Sequence, residues 1–239
     1  MVKIYVRQEP QGDTFVLDRD FKKRLTKVMR LKAGDSVEVF CNRNHWRCRI
    51  DQIFPDAIQL KIEAELPTQP PPKVTITLVQ SIAKGDRFEW LIQKATELGI
   101  TEIFPLISAR TIVHPENIDS KIQRWNEISE QAAGQSENSY PAIVYAPVAL
   151  EDFLKRKCEG LCLLLHERSG SAPLQQVLNQ DVDRITIVVG PEGGWSEEET
   201  AKWSETGCTK IHLGSRVLRS ETAGLVLAAI IQYVIGDFS

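Results

Sequence analysis

The chain has 239 residues, of which 42% are hydrophobic and 26% charged, and its formal net charge is −3. This composition is typical of a soluble globular protein with one large or two small domains. No apolar run approaches the length of a membrane span, and the first residues lack the apolar core of a signal peptide. We therefore expect a cytoplasmic protein with no membrane partner.

The first part of the chain reads as a small β-barrel with one helix. Short strand-like runs are separated by turn residues such as Gly12-Asp13 and Gly34-Asp35. A basic helix over about Asp20–Arg30 interrupts these runs. The predicted strands are Lys3–Val6, Thr14–Leu17, Ser36–Phe40, Trp46–Ile53 and Ala57–Ile62.

A proline-rich segment divides the chain. Residues 66–72 hold four prolines within six positions, which neither a helix nor a central strand tolerates, so the segment is a stiff linker. We expect one domain over residues 1–68 and a second over residues 73–239.

Beyond the linker, predicted strands and helices alternate, which indicates an α/β domain with a mostly parallel sheet. The strands are Val74–Gln80, Glu102–Leu106, Cys162–His166, Arg184–Val189 and Lys210–Leu213. The helices are Arg87–Leu98, Asn117–Ala133, the short Leu174–Leu178, one after Ser196 ending near Gly207, and one from Ser220 to about Ile235.

Two predicted helices begin at residues that commonly act as N-caps. Ser196 is a predicted N-cap, and Glu199 completes a capping box. Ser220 is the predicted cap of the last helix, which is apolar almost all round from Ala223 to Ile235. Such a helix must be buried on most sides, either in the core or, as we favour, partly in a homodimer interface.

The five cysteines are odd in number and scattered, which favours reduced thiols. Cys41, His45 and Cys48 are three possible zinc ligands. A fourth ligand at a standard spacing is missing, so we interpret them as ordinary hairpin residues and predict no metal site.

The stretch GPEGGWSEEE, residues 190–199, follows the predicted strand Arg184–Val189. Glycine-rich loops of this kind often hold phosphate, but the P-loop lysine and the G-x-G-x-x-G spacing are both missing. The acidic residues of the stretch would repel an anion. The loop suits close backbone approach to a neutral or cationic ligand, and the alternative is a tight turn that holds no ligand.

A second glycine loop, IHLGSRVLRSETAG, occupies residues 211–224. Two loops at the carboxyl ends of successive strands can face one crevice, where α/β sheets bind ligands. Gly214 admits a close backbone approach, and the apolar residues around it suit a flat heterocycle.

These two loops and KGDRFEWLIQKATELGITEIFPL, residues 84–106, resemble the bacterial ribosomal RNA small subunit methyltransferase E family. This family belongs to the SPOUT superfamily of knotted methyltransferases, and the resemblance covers nearly the whole chain. It implies an RNA-binding PUA-like β-barrel followed by an α/β SPOUT domain with a trefoil knot. It also implies S-adenosylmethionine as cofactor, a homodimer, and methylation of N3 of one uridine in the 16S rRNA of the small ribosomal subunit.

The resemblance further implies which residues line the cofactor pocket. They come from three strand ends and from the start of the last helix. The set is Leu165, Val189, Gly190, Gly193, Gly194, Leu213, Gly214, Val217, Leu218, Thr222 and Ala223.

Methyl transfer to N3 of uridine requires that N3 lose its proton, because neutral N3–H has no free lone pair. A base, or a cation that stabilises the forming uracil anion, is needed. The catalytic candidates are Arg219, as electrostatic partner and phosphate anchor, and Glu221, as a base or only as a charge at a helix N-terminus.

The segment over residues 19–32 holds seven basic residues and one acidic residue. We interpret Lys23, Arg24, Lys27 and Arg30 as contacts to the RNA backbone, and the alternative is a solvated helix face.

The chain departs from the family pattern at two places. Arg24-Leu25 stands where family members often carry a histidine, and Val28-Met29-Arg30 replaces Val-Leu-Arg. Gly134 and Asn138 replace the Glu and Arg of an E-Q-x-x-R motif. Two alternatives therefore stay open: an RNA-binding ribosome-assembly factor without turnover, and a SPOUT methyltransferase acting on another RNA base.

Overall fold

The computed structural model describes residues 1–111, 117–166, 171–178 and 182–238. The chain forms two compact units. The first consists of Met1–Pro70 and Glu130–Tyr140, and the second of Pro71–Ser129 and Pro141–Ser239.

The first unit is built on a five-stranded sheet in the order β1-β3-β4-β5-β2. Only β1 and β3 pair in parallel. Alternate side chains, such as Val37 and Val39, point into one apolar core with Phe15 and Leu60. The strands are β1 (Val2–Tyr5), β2 (Thr14–Leu17), β3 (Ser36–Cys41), β4 (Asn44–Ile53) and β5 (Ile58–Leu66).

The basic segment forms two short helical pieces rather than the predicted single helix. Helix α1 (Arg19–Lys23) begins after Asp18, whose carboxylate accepts from the backbone N–H groups of Asp20 and Phe21, both at 3.0 Å. A π-helical turn, Arg24–Val28, follows and buries Leu25 in the core. The helix ends before Arg30, whose φ of 59° is left-handed.

The second unit contains a parallel sheet in the order β11-β13-β10-β12-β6-β7-β8, with β9 also paired to β7. This confirms the predicted parallel α/β architecture. Its strands are β6 (Thr75–Ser81), β7 (Glu102–Ile107), β8 (Ile143–Val144), β9 (Val148–Ala149), β10 (Leu161–Leu165), β11 (Ala172–Pro173), β12 (Arg184–Val189) and β13 (Thr209–His212).

Helices cover this sheet and enclose two apolar clusters, one around Leu78 and Ile187 and one around Phe153 and Trp203. None of the helices in the described ranges is long and apolar enough to cross a membrane. The helices are α2 (Arg87–Glu97), α3 (Ile118–Gln135), α4 (Leu150–Leu154), α5 (Glu197–Glu205) and α6 (Ser220–Val234), with a 3₁₀ turn at Leu174–Gln176.

Of the two predicted N-caps, the one at Ser196 is confirmed and the one at Ser220 is wrong. The capping box is confirmed, because Ser196 Oγ accepts from the N–H of Glu199 at 3.1 Å and Glu199 accepts from the N–H of Ser196 at 2.9 Å. Ser220 is not a cap: Arg219 occupies that position without a side-chain capping bond, and Ser220 is the first helical residue.

The expectation of reduced thiols is wrong for two of the five cysteines. Cys162 and Cys208 are joined by a disulfide, with their Cα atoms 4.6 Å apart, because β10 and β13 are adjacent strands. Cys41 and Cys48 are free thiols in the apolar core of the first unit, and burial raises the pKa of each to about 12. His45 stacks on Phe40.

The last turns of α3, from Glu130, belong to the first unit, where Gly134 lies against β1. A Cβ atom at Gly134 would lie 2.9 Å from the backbone nitrogen of Tyr5 and 3.1 Å from the Cα of Ile4. Asn138, the other departure from the family pattern, accepts from the N–H of Tyr140 at 2.8 Å. Both residues therefore have local packing or turn-forming roles in this chain.

We predict that Gly134→Ala destabilises the protein. Alanine favours a helix over glycine by about 1 kcal/mol, but overpacking against backbone atoms that cannot rotate away costs about 1–3 kcal/mol. Thermal and urea denaturation should show a net loss, whereas the exposed neighbour Gln135→Ala should stay within about 0.5 kcal/mol. A Gly134→Ala variant as stable as the parent protein would contradict this close contact.

Candidate functional site

Three strand ends meet at one edge of the sheet in the second unit. Strand β10 lies between β12 and β13, with Leu164 beside Val188 and Leu165 beside Ile211. All three strands run in parallel, so the segments that follow Leu165, Val189 and His212 leave the sheet at the same edge. The two glycine loops predicted to bind a ligand are therefore neighbours.

The glycines of these loops have two different reasons for lacking a side chain. A Cβ atom at Gly190 would lie 2.8 Å from the indole ring of Trp195, so the backbone there is tightly enclosed. Gly194 and Gly214 have φ values of 71° and 74°, with no atom within 4 Å of an added Cβ. These two positions combine a left-handed backbone with open space, and Gly193 is also exposed.

Side chains from distant parts of the unit hold the first glycine loop in place. Arg87 of α2 forms an ion pair with Glu192. Arg110 Nη1 donates to the carbonyl of Gly193 at 2.7 Å, and Trp195 Nε1 donates to the carbonyl of Leu165 at 3.2 Å. Sequence reasoning missed Arg87, Arg110 and Trp195 as loop-holding residues, because the arginines are 105 and 83 residues from their partners.

The start of α6 is also tied to the first loop. Ser220 Oγ donates to the carbonyl of Gly190 at 2.6 Å and accepts from Gln80 Nε2 at 2.8 Å. The end of β6, the end of β12 and the start of α6 are thus connected through one hydroxyl group. This contact explains why Ser220 does not cap its own helix.

Three of the four acidic residues of GPEGGWSEEE are engaged within the protein. Glu192 is paired with Arg87, and Glu198 lies 2.8 Å from Lys202. Glu199 is buried, and its second oxygen accepts from the N–H of Ala109 at 2.8 Å. These carboxylates stabilise the loop and the following helix, so their presence does not identify a cationic ligand.

The part of the second glycine loop between the two elements, residues 213–219, leads from β13 directly into α6. Leu213 and Leu218 are half-buried, and so are Thr222 and Ala223 in the first turn of α6. Val217, by contrast, is 94% exposed. Leu213 packs against the core, and the half-buried Leu218 adds apolar surface to this loop.

A groove of about 390 Å³ lies beside the start of α6, and it contains both catalytic candidates. Arg219 is exposed, whereas Glu221 is only 6% exposed. No group in the described parts of the chain lies within hydrogen-bond distance of Glu221 Oε2. The groove is lined by Asp86, Arg87, Trp90, Arg219, Glu221 and Thr222.

A buried carboxylate oxygen without a partner is costly in a folded protein. Because Glu221 also lines the groove, its carboxylate is the candidate acceptor there for a ligand that donates a hydrogen bond. Arg219 adds a positive charge to the same groove, so the site can bind a group that loses a proton and becomes negative.

In the first unit, the predicted RNA contacts differ in exposure. Lys23, Lys27 and Arg30 are exposed. Arg24 is half-buried, and burial lowers the pKa of its guanidinium group. The three exposed side chains each carry a positive charge at the surface of the segment.

Sequence comparisons agree with this architecture. A family model of RNA methyltransferase domains matches residues 70–232, and a model of the PUA domain of RNA methyltransferases matches residues 25–63. The ribosomal RNA small subunit methyltransferase E of Synechocystis sp. is 33% identical over 210 residues, covering 86% of this chain and 68% of that protein. The protein of the same name from Bacillus subtilis is 28% identical, covering 97% and 94%.

Two solved structures are similar over almost the full length. A methyltransferase from Legionella pneumophila in complex with its cofactor SAM superimposes with a TM-score of 0.93 at 28% identity, covering 99% of both chains. Ribosomal RNA small subunit methyltransferase E from Neisseria gonorrhoeae, bound to S-adenosyl methionine, gives 0.88 at 30% identity and covers both chains fully. The resemblance of the sequence motifs is thereby confirmed, and the chain belongs to the ribosomal RNA small subunit methyltransferase E family.

Proposed function

We propose that this protein is an S-adenosylmethionine-dependent methyltransferase that methylates N3 of a uridine in the 16S rRNA of the small ribosomal subunit. The observation that carries this proposal is the groove that Glu221 and Arg219 line together, next to the glycine loops. Family membership supports the reaction class. The proposed substrate would make the protein cytoplasmic.

The glycine loops fit the cofactor. Gly194 and Gly214 leave space for close approach to backbone groups, and Leu213 and Leu218 supply apolar surface for an adenine ring. In the proposed site, the cofactor is held by backbone groups after β10, β12 and β13, together with the first turn of α6. The related Legionella and Neisseria structures, both solved with this cofactor, support its identity.

A trefoil knot is part of the proposal. The path of the chain after β13 supports it. Strand β13 lies beside β10, on the side away from β12. The chain nevertheless returns to β12, where Ser220 contacts Gly190. A crystal structure of the protein would test whether the chain passes through the preceding loop.

The catalytic residues have complementary roles in this proposal. When bound, the cofactor would supply a methyl group on a sulfonium, from which a neutral thioether would leave. Glu221 accepts the N3–H hydrogen bond of the target uracil and takes its proton, which frees the N3 lone pair for in-line attack. Arg219 stabilises the negative charge that develops on the uracil ring and can also anchor a phosphate.

RNA binding by the first unit completes the proposed substrate recognition. The match to a PUA domain of RNA methyltransferases and the exposed positive charge of Lys23, Lys27 and Arg30 support it. Arg24 contributes at the edge of this surface. Because the contacts would be with phosphates, they position the RNA and do not read its sequence.

We also propose that the enzyme is a homodimer. Helix α6 buries Leu227 and Ile231 in its own core but leaves Tyr233 71% exposed, and Phe238 beyond the helix is 50% exposed. A second copy of the chain would cover such apolar side chains. Light scattering of the purified protein tests this state, and a monomeric mass would refute it.

The reaction is tested with purified protein, tritiated S-adenosylmethionine and small ribosomal subunits from a strain that lacks this gene. Nucleoside digestion and mass spectrometry identify the product. N3-methyluridine supports the proposal. Another methylated nucleoside would favour a SPOUT enzyme with a different target, and cofactor binding without a methylated product would favour an assembly factor.

We predict that Arg219→Ala lowers kcat by about 100-fold while the affinity for S-adenosylmethionine stays unchanged. The reason is that the lost charge acts on the forming uracil anion. Single-turnover kinetics and equilibrium dialysis measure the two quantities. Arg216→Ala, an exposed arginine of the same loop, is the matched control. Equal losses of turnover and cofactor affinity in Arg219→Ala would contradict its catalytic role.

We predict that replacing Lys23, Lys27 and Arg30 by Glu weakens RNA binding. The logarithm of the association constant falls with the logarithm of the salt concentration, and the magnitude of that slope should decrease by about 2, because three phosphate contacts are lost. Filter binding at several salt concentrations measures both. The control reverses the exposed residues Arg47, Lys121 and Lys157, which changes the net charge equally. If both triple variants behave alike, the segment is only a solvated face.

A further inference from the structure

Trp90 forms an aromatic wall of the groove beside α6. The proposed reaction gives this side chain no role. Trp90 lies on α2, and its side chain is 47% exposed although it is one of the largest apolar side chains of the protein. Its neighbours on α2 in sequence, Phe88 and Leu91, are buried in the core. The exposed indole therefore faces the groove and not the interior.

The composition of the groove matches one class of ligand. A volume of about 390 Å³ lies in the range of small-molecule sites. Trp90 offers a flat apolar face, the carboxylate of Glu221 offers an acceptor, and Arg219 offers a cation. An unstacked nucleotide presents the complements of all three: an aromatic face, an N–H donor and a negative phosphate.

One further residue of the groove, Arg87, is held in place by an ion pair, whereas Asp86 is not held by a capping bond. Arg87 is paired with Glu192, which connects α2 to the first glycine loop. Asp86 precedes α2 in the N-cap position, but its carboxylate makes no capping hydrogen bond. The wall that carries Trp90 is thus held against the loop that we assign to the cofactor.

We propose that Trp90 is the stacking platform for the target uracil, which leaves the RNA stack and inserts into this groove. The inference rests on the proposed function and adds a positioning residue to it. Stacking on Trp90 fixes the plane of the base, and the acceptor oxygen of Glu221 then selects the edge that carries N3–H. Enzymes that modify a base commonly expose it in this way.

The kinetic test compares Trp90→Ala and Trp90→Phe with the parent protein on small subunits from the strain that lacks the gene. We expect Trp90→Ala to lower kcat/KM by about 10–100-fold, because stacking of one base is lost. Trp90→Phe keeps an aromatic face and should stay within about threefold. Ile143→Ala, which truncates another exposed apolar side chain outside the groove, is the control.

Three accompanying results would overturn the stacking role. The first is unchanged kcat/KM in Trp90→Ala. The second is an equal loss in Trp90→Phe. The third is a loss that coincides with reduced affinity for S-adenosylmethionine or with a change in oligomeric mass, because Trp90 would then support the cofactor loop or a subunit interface.

A binding test separates this inference from the proposed function. A 16S rRNA transcript with 5-iodouridine in place of uridine is irradiated with the protein, and cross-linked peptides are identified by mass spectrometry. A cross-link at Trp90 supports the stacking role whether or not turnover occurs. RNA cross-links that leave Trp90 unmodified overturn it, whereas failure of the parent protein to form N3-methyluridine refutes the proposed reaction.

Discussion

The position of β10 between β12 and β13 is the constraint on which the rest of the site depends. Parallel pairing fixes the direction of all three strands, so the segments after them must leave at one edge of the sheet. Each strand is short, and β12 is buried almost completely. Burial of these strands in the apolar core therefore fixes the place where the two glycine-rich loops meet.

The conformation of the first glycine loop is fixed by hydrogen bonds and one ion pair. Ser220, Trp195 and Arg110 each bind a backbone carbonyl of the site, at Gly190, Leu165 and Gly193. A partly exposed ion pair such as Arg87–Glu192 contributes only about 0–1 kcal/mol, so its role is geometric. Backbone amides and carbonyls that are held in this way can face a cofactor without reorganisation when it binds.

Local sequence patterns predicted the elements well where periodicity and turn chemistry were strong. Strand β12 and the start of α2 have the predicted bounds, and the capping box at Ser196 is present. The two-residue strands β8, β9 and β11 were missed, because two residues have no period.

The role of Ser220 was misread because its partner, Gly190, lies 30 residues away. The pairing of Cys162 with Cys208 likewise depends on strand adjacency, which spacing alone does not give. Trp90 and Arg87 matched the family motif, but only the folded chain places them beside Arg219 and Glu221.

Calorimetric titration of S-adenosylmethionine into the parent protein and into Gly190→Ala measures whether the enclosed glycine loop forms a cofactor site. A methyl group at this position would displace Trp195 and break its contact with Leu165. We expect saturable binding to the parent protein and at least a tenfold weaker affinity for Gly190→Ala. We expect unchanged binding for Gly207→Ala, a glycine in the turn after α5. Equal affinity of all three folded proteins, or no binding to the parent protein, would contradict a cofactor site at this loop.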